Sequence, residues 1–187
     1  MNAPDVLSFW FDGDPTIWRE ARWFEADPAF DREITERFGF LLNAALDGAL
    51  DLWTQTAEGA LALVIVLDQF SRNIHRGDYR AFAGDAHARR IARMSVDRGD
   101  DAALTPVQRV FLYMPFVHSE DWRDQHASVV LFERLRGHSE VADAVAHAVE
   151  RRETIRRFGR WPARNAVLGR ESTPEEIAYL AETGDTP

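Results

Sequence analysis

Three clusters of polar residues in this chain have side chains suited to chemistry. The first is Asp68-Gln69-Phe70-Ser71-Arg72-Asn73. On a regular helix at about 100° per residue, Asp68, Gln69, Arg72 and Asn73 fall within an arc of about 140°. The residues before them on that arc, Ala62, Ile65 and Val66, are apolar, so the four hydrogen-bonding groups sit where a core would otherwise continue. One account is an Asp68–Arg72 pair at i,i+4 with amides tying helix ends together. The other is the floor of a polar pocket.

The second cluster is Met114-Pro115-Phe116-Val117-His118-Ser119-Glu120-Asp121. Pro115 inside a helical pattern is expected to end or kink it, releasing backbone groups that a side chain or a ligand must satisfy. Ser119 followed by two acids reads as an N-cap with carboxylates at the positive end of the next helix. His118 beside Glu120 has the chemistry of an acid or base, and equally that of a hydrogen-bonded spacer. The third cluster runs from Arg156-Arg157-Phe158-Gly159-Arg160-Trp161-Pro162-Ala163-Arg164-Asn165 to Leu168-Gly169-Arg170. Guanidinium forks recognise carboxylates and phosphates. These Arg therefore meet the carboxylates of the first two clusters, hold an anionic ligand, or do both. The expectation is that Arg160 and Arg164 lie within salt-bridge reach of Asp68 or Glu120.

The elements that must position these groups are helices. Asp27-Pro28, Thr105-Pro106 and Thr173-Pro174-Glu175-Glu176 each place a capping side chain before a Pro at the first helical position, and apolar residues follow at helical spacing. Further helices are expected at about 58–74, 79–97, 119–136 and 139–157, with breaks at Gly77, Gly99, Gly137 and Gly159. Strand-like alternation is missing. The chain reads as all-α, its neighbouring helices forming antiparallel hairpins. The eight-residue apolar run Ala60–Leu67 is expected to be the most buried helix.

The 187 residues carry a net charge of −9 and include no Cys. One domain of this size buries an ordinary core without staples. Thiolate zinc sites and thiol nucleophiles are excluded. The acidic balance argues against nucleic acid or an anionic membrane surface as partner. No apolar run approaches the roughly 20 residues of a membrane span, and no basic n-region precedes the short apolar stretch Val6–Phe11. A cytoplasmic location is expected by elimination. Against the acidic background, residues 151–170 hold seven Arg and only one acid, and every basic residue of the chain is Arg.

Nucleotide-loop, nucleophile-elbow and zincin motifs are missing, and no motif names a cofactor. The six His include no i,i+4 pair, so no helical metal site is expected. Asp68, Glu120 and Asp124 together would suit Mg²⁺, but nothing in the sequence brings them together.

Three ordered blocks resemble a bacterial family of domains of unknown function. They are Leu67-Asp68-Gln69-Phe70-x-Arg72-Asn73, Tyr113-Met114-Pro115-Phe116-x-His118-Ser119-Glu120, and Arg157-Phe158-Gly159-Arg160-x-Pro162-x-Arg164-Asn165-x-x-Leu168-Gly169-Arg170. The resemblance covers about residues 5–183 and implies an all-helical fold like tetratricopeptide repeats; the chain length gives a single domain spanning 1–187, with a disordered tail expected at 184–187. It implies no reaction. This sequence departs from the family pattern at Ser71, where Pro is common, and at Arg151 and Ala163, where His is common. Those two replacements weaken a His-based metal or acid–base site.

Two function classes follow. A scaffold binding a peptide or protein segment would present an open groove lined by aromatics among Trp10, Trp18, Trp23 and Trp53. A binder or enzyme for a small anionic metabolite would close a pocket where the clusters converge. Its ligand contacts would come from Gln69, Arg72, Asn73, Arg157, Arg160, Arg164 and Asn165, with Arg72, Arg160 and Arg164 as the anion clamp. Its acid–base groups would be Asp68, His118 or Glu120. The plainest alternative is that the clusters only lock helix ends. Arg160→Ala would then lower the melting temperature, and no ligand would raise it.

Overall fold

The computed structural model describes residues 1–184, and among these there are helices and turns but no strands. Helix α1 (Ala3–Trp10) opens with a reciprocal cap in which Asn2 accepts from the Asp5 amide and Asp5 accepts from the Asn2 amide. The short α2 (Glu20–Phe24) leads to α3 (Pro28–Leu46), capped by Asp27 as its sequence requires. Helix α4 (Ala57–Val64) starts at Thr56 and runs on into a π-helical turn, Ile65–Phe70, and then into α5 (Ser71–Ile74). Next come α6 (Asp85–Arg98), α7 (Pro106–Val117), α8 (Trp122–Glu133), α9 (Ala142–Phe158) and α10 (Pro174–Thr183).

The greasy segment is the centre of the molecule. Each residue from Ala60 to Leu67 is fully buried, and α4 packs against α1, α6 and α7. The π turn lies on α3 and α6, and α8 bridges α7 and α9. Aromatic rings fill the space beside it, Trp10 packing edge-on against Phe70 and Phe111, with centroids at 5.7 and 5.4 Å. Gly99 and Gly159 end α6 and α9 in the left-handed conformation, with φ of 79° and 69°.

Several boundaries differ from the sequence expectation. The helix expected at 79–97 begins only at Asp85, after a 3₁₀ turn over Tyr79–Phe82 and a close packing of Gly84 on the Leu67 carbonyl. The helix expected from 119 begins at Trp122. Its cap is Asp121, which accepts from the Arg123 amide. Ser119 instead accepts from the Asp121 amide and donates to Asp124. Helix α7 runs past Pro115 to Val117, and carbonyls at and just after its end are met by side chains, Trp161 Nε1 donating to that of His118 at 3.1 Å. Gln125 Nε2 donates to the carbonyls of Val117 and Ser119 at 2.7 and 2.6 Å. Gly184, placed in a tail by the sequence, closes α10; residues 185–187 of that expected tail lie outside the described residues.

No helix among the described residues is long and apolar enough to cross a membrane.

Candidate functional site

The π turn delivers Asp68 and Gln69 to the end of the buried helix. Over this turn the backbone bonds run i→i+5, so the regular 100° spacing assumed from the sequence does not hold there. Asp68 is fully buried, and three donors converge on it. His118 Nδ1 lies 2.8 Å from Oδ1, Gln69 Nε2 donates to Oδ2 at 2.6 Å, and Arg72 Nη1 reaches both Oδ1 at 3.1 Å and the Asp68 carbonyl at 2.7 Å. Burial alone would raise the Asp68 pKa. The Arg72 charge, with His118 and Gln69, outweighs it and holds this carboxyl well below the usual carboxylate range.

Arg72 is shared. Its other face grips Asp85 with two bonds, Nη1 to Oδ1 at 2.9 Å and Nη2 to Oδ2 at 3.1 Å. Asp85 opens α6 and is held there because Gly84 has no side chain to strike the Leu67 carbonyl. Arg164, from the 3₁₀ turn Pro162–Arg164, approaches the same carboxylate, Nη1 to Oδ2 at 3.5 Å. Its guanidinium stacks on Phe82 with 4.5 Å to the ring centroid. Among the described residues no acceptor takes a hydrogen bond from Arg164. Burial and the nearby Arg72 charge push its pKa down to about 10, against the pull of Asp85, Glu120 and Asp68. It remains a cation at neutral pH.

These groups surround a cleft of about 610 Å³, within the usual range for small-molecule sites. Gln69, Arg72, Asn73, His118 and Arg164 line it, with Trp18, Phe24, Phe82, Met114 and Trp161 supplying apolar wall. Arg151 and Ala163, the two departures from the family pattern, also line it. Arg151 donates from Nε to His147 Nε2 at 3.0 Å and lies over Trp161. Ser71, the third departure, faces away from this role and donates to the Arg80 carbonyl at 3.1 Å.

Of the lining candidates, Asn73 is already tied to Asp31, which also takes two bonds from Arg76. The remaining candidates lie elsewhere. Glu120 binds Arg170 with two bonds at 2.8 and 2.9 Å and accepts from the Trp161 amide. Arg160 does not reach Asp68 or Glu120, contrary to expectation. It pairs with Glu176, two bonds at 2.7 and 2.8 Å. Asn165 is fully buried beside that pair, bonding Ser172, Glu176 and Arg170. Arg157 sits on the surface with Glu175. Arg157, Arg160, Asn165 and Arg170 thus pin the C-terminal loop and α10, and that pinning holds Trp161 and Arg164 against the chamber. Arg164 also misses Asp68 and Glu120 as direct partners: Arg72 already bonds Asp68, and Arg170 already bonds Glu120.

Asp68, Glu120 and Asp124 do not form one carboxylate site: Asp124 is bonded by Arg89, Arg93 and Ser119. Among the described residues no group of His, Asp and Glu side chains is placed to hold a metal ion. Sequence reasoning missed Asp85, whose only signal is an acid in the first turn of α6 after Gly84. It also missed the wall Phe82, whereas Trp18 and Trp23, two of the aromatics expected to line a groove, do line the cleft.

Residues 6–184 match the bacterial family of proteins of unknown function DUF924. The chain belongs to this family. A solved structure described as a protein of unknown function, ATU0120 from Agrobacterium tumefaciens, is similar to it at 40% identity. The match covers 96% of this chain and 97% of that one, with a TM-score of 0.88. No curated protein matches. The DUF924 membership agrees with the three sequence blocks, two of which, around Asp68 and His118, meet in the chamber, while the third brings Arg164 to it.

Proposed function

We propose that this DUF924 protein binds a small anionic molecule in the cleft, with Arg164 as its principal contact. The observation that carries the reading is a guanidinium only 13% exposed, beside a carboxylate already engaged twice by Arg72, with no hydrogen-bond acceptor of its own among the described residues. Arg72 and Arg164 together face Asp68 and Asp85, so the chamber is close to neutral, and a carboxylate or phosphate would complete the donors of Arg164. A compact ligand is favoured over an extended peptide because Trp10, one of the aromatics a groove would need, is buried in the core, and Trp18 and Trp23 instead wall the cleft. Acid–base turnover of the bound anion is a second reading, favoured by the His118–Asp68 contact, which orients the imidazole. For the architecture, we read α6, α7, α8 and α9 as a tetratricopeptide-like stack, a reading supported by each packing on the next.

The test is a thermal-shift titration of the wild type and Arg164→Met with inorganic phosphate and with a panel of carboxylates. At a concentration about 100 times Kd, an anion should stabilise the wild type by about 2.7 kcal/mol, a rise of roughly 5–11 °C for a domain this size. Arg164→Met keeps apolar contact with Phe82 and removes a poorly paired buried charge. It should melt higher than the wild type without ligand, by about 1 kcal/mol, and show no anion response. A wild type indifferent to every anion, with Arg164→Met destabilised by about 3 kcal/mol or more, would mean that Arg164 is purely structural.

A further inference from the structure

The chamber offers acceptors as well as a donor. Asp68 is an ionised carboxylate with no hydrogen to give, so the 2.8 Å contact requires His118 to donate from Nδ1. Burial and the Arg72 charge favour the neutral imidazole, against the pull of Asp68 and Asp85. The lone pair then belongs to Nε2, which no donor among the described residues meets, on a side chain 22% exposed that lines the cleft. Gln69 repeats the pattern. Its amide nitrogen is directed at Asp68 and the Met114 sulfur, which turns Oε1 the other way, also without a donor.

A simple carboxylate or a fully ionised alkyl phosphate would satisfy Arg164 but confront both acceptors with further lone pairs. Resting on the anion reading above, we infer that the ligand carries a hydroxyl or amine N–H beside its anionic group, and that His118 Nε2 accepts from it. The ligand class is therefore a hydroxy- or amino-substituted carboxylate or phosphate ester, its anionic end on Arg164 and its donor on His118. Gln69 Oε1 stands as a second acceptor for the same donor or its neighbour. Trp18, Phe24 and Phe82 on the cleft wall suit an apolar body. His118 is thereby a specificity-determining residue, because it distinguishes anions that differ by a single hydroxyl.

Two matched pairs of probes test this by calorimetry at pH 8: 3-phenyllactate against 3-phenylpropionate, and 2-hydroxypropyl phosphate against propyl phosphate. In at least one pair the hydroxylated member should bind the wild type about 5- to 10-fold more tightly, the worth of one net hydrogen bond. Which pair responds separates carboxylate from phosphate. In His118→Phe the preference should shrink to within about twofold while the hydroxyl-free member still binds. Should that variant fail to fold, ¹⁵N spectra of the wild type read the same point. His118 should carry its proton on Nδ1, and its Nε2 resonance should move on adding the hydroxylated member of the responding pair but not its hydroxyl-free partner. Equal binding within both pairs, or a proton found on Nε2, overturns the inference and leaves the anion reading standing. Failure of all four probes to bind the wild type overturns both.

Discussion

Asp68→Ala will be less stable than the wild type by about 4 kcal/mol, melting roughly 8–16 °C lower. The substitution removes the acceptor of Gln69 Nε2, which is buried, and of His118 Nδ1, which is partly buried, and one of the three acceptors of Arg72 Nη1. Arg72 keeps Asp85 and the Asp68 carbonyl, so the loss falls mainly on His118 and on Gln69, which keeps only the weak Met114 sulfur as acceptor. Leaving buried donors unmet costs more than the bonds themselves contribute. Asp68→Asn keeps the shape and one acceptor oxygen and should cost about half as much. Urea unfolding checks both, because the midpoint should fall while the slope stays fixed. A loss below about 1 kcal/mol in Asp68→Ala would mean that the donors find other acceptors or water and that Asp68 does not organise the chamber.

Gly84→Ala is the second large effect, about 3 kcal/mol or more. A Cβ at this position would lie 2.2 Å from the Leu67 carbonyl oxygen and 2.9 Å from its carbon. Both are backbone atoms at the π turn, which no side-chain rotation can move. The start of α6 must then retreat, taking Asp85 away from Arg72 and Arg164. A loss of stability and a loss of anion binding should therefore appear together. Gly39→Ala is the matching control. It makes the same chemical change in the middle of α3, where a Cβ meets nothing within 4 Å, and should raise stability by roughly 0.5–1 kcal/mol. If Gly84→Ala were as harmless, the packing of α6 on the π turn would not be what positions Asp85.

The helical framework was readable because its signals are local. Thr105 and Gln108 cap α7 reciprocally, and Thr173 and Glu176 do the same for α10, as residue types at fixed spacing require. The burial of Ala60–Leu67 follows from an uninterrupted apolar run. Helix α1 was overlooked although Asn2 and Asp5 cap it, since Asp in place of Glu makes a weaker capping signal. The π turn has no pattern in residue types, because one extra residue in a backbone ring leaves composition unchanged. Pairing between distant charges was least legible. The Arg-rich C-terminal segment folds back on the chamber as its charge suggested, but all its Arg are chemically alike. Only the path of the loop after Gly159 decides that Arg170 takes Glu120, Arg160 takes Glu176 and Arg164 is left facing the cleft.

The most direct measurement is anomalous diffraction at the selenium edge from crystals of the protein soaked in selenate, a tetrahedral oxyanion that stands in for phosphate. An ordered selenium peak in the cleft is expected, with selenate oxygens in hydrogen-bond contact with Arg164 while Asp85 remains on Arg72 and Asp68 on His118. A cleft without a peak, and an Arg164 guanidinium closed in a two-bond pair with Asp85 or Glu120, would contradict the account.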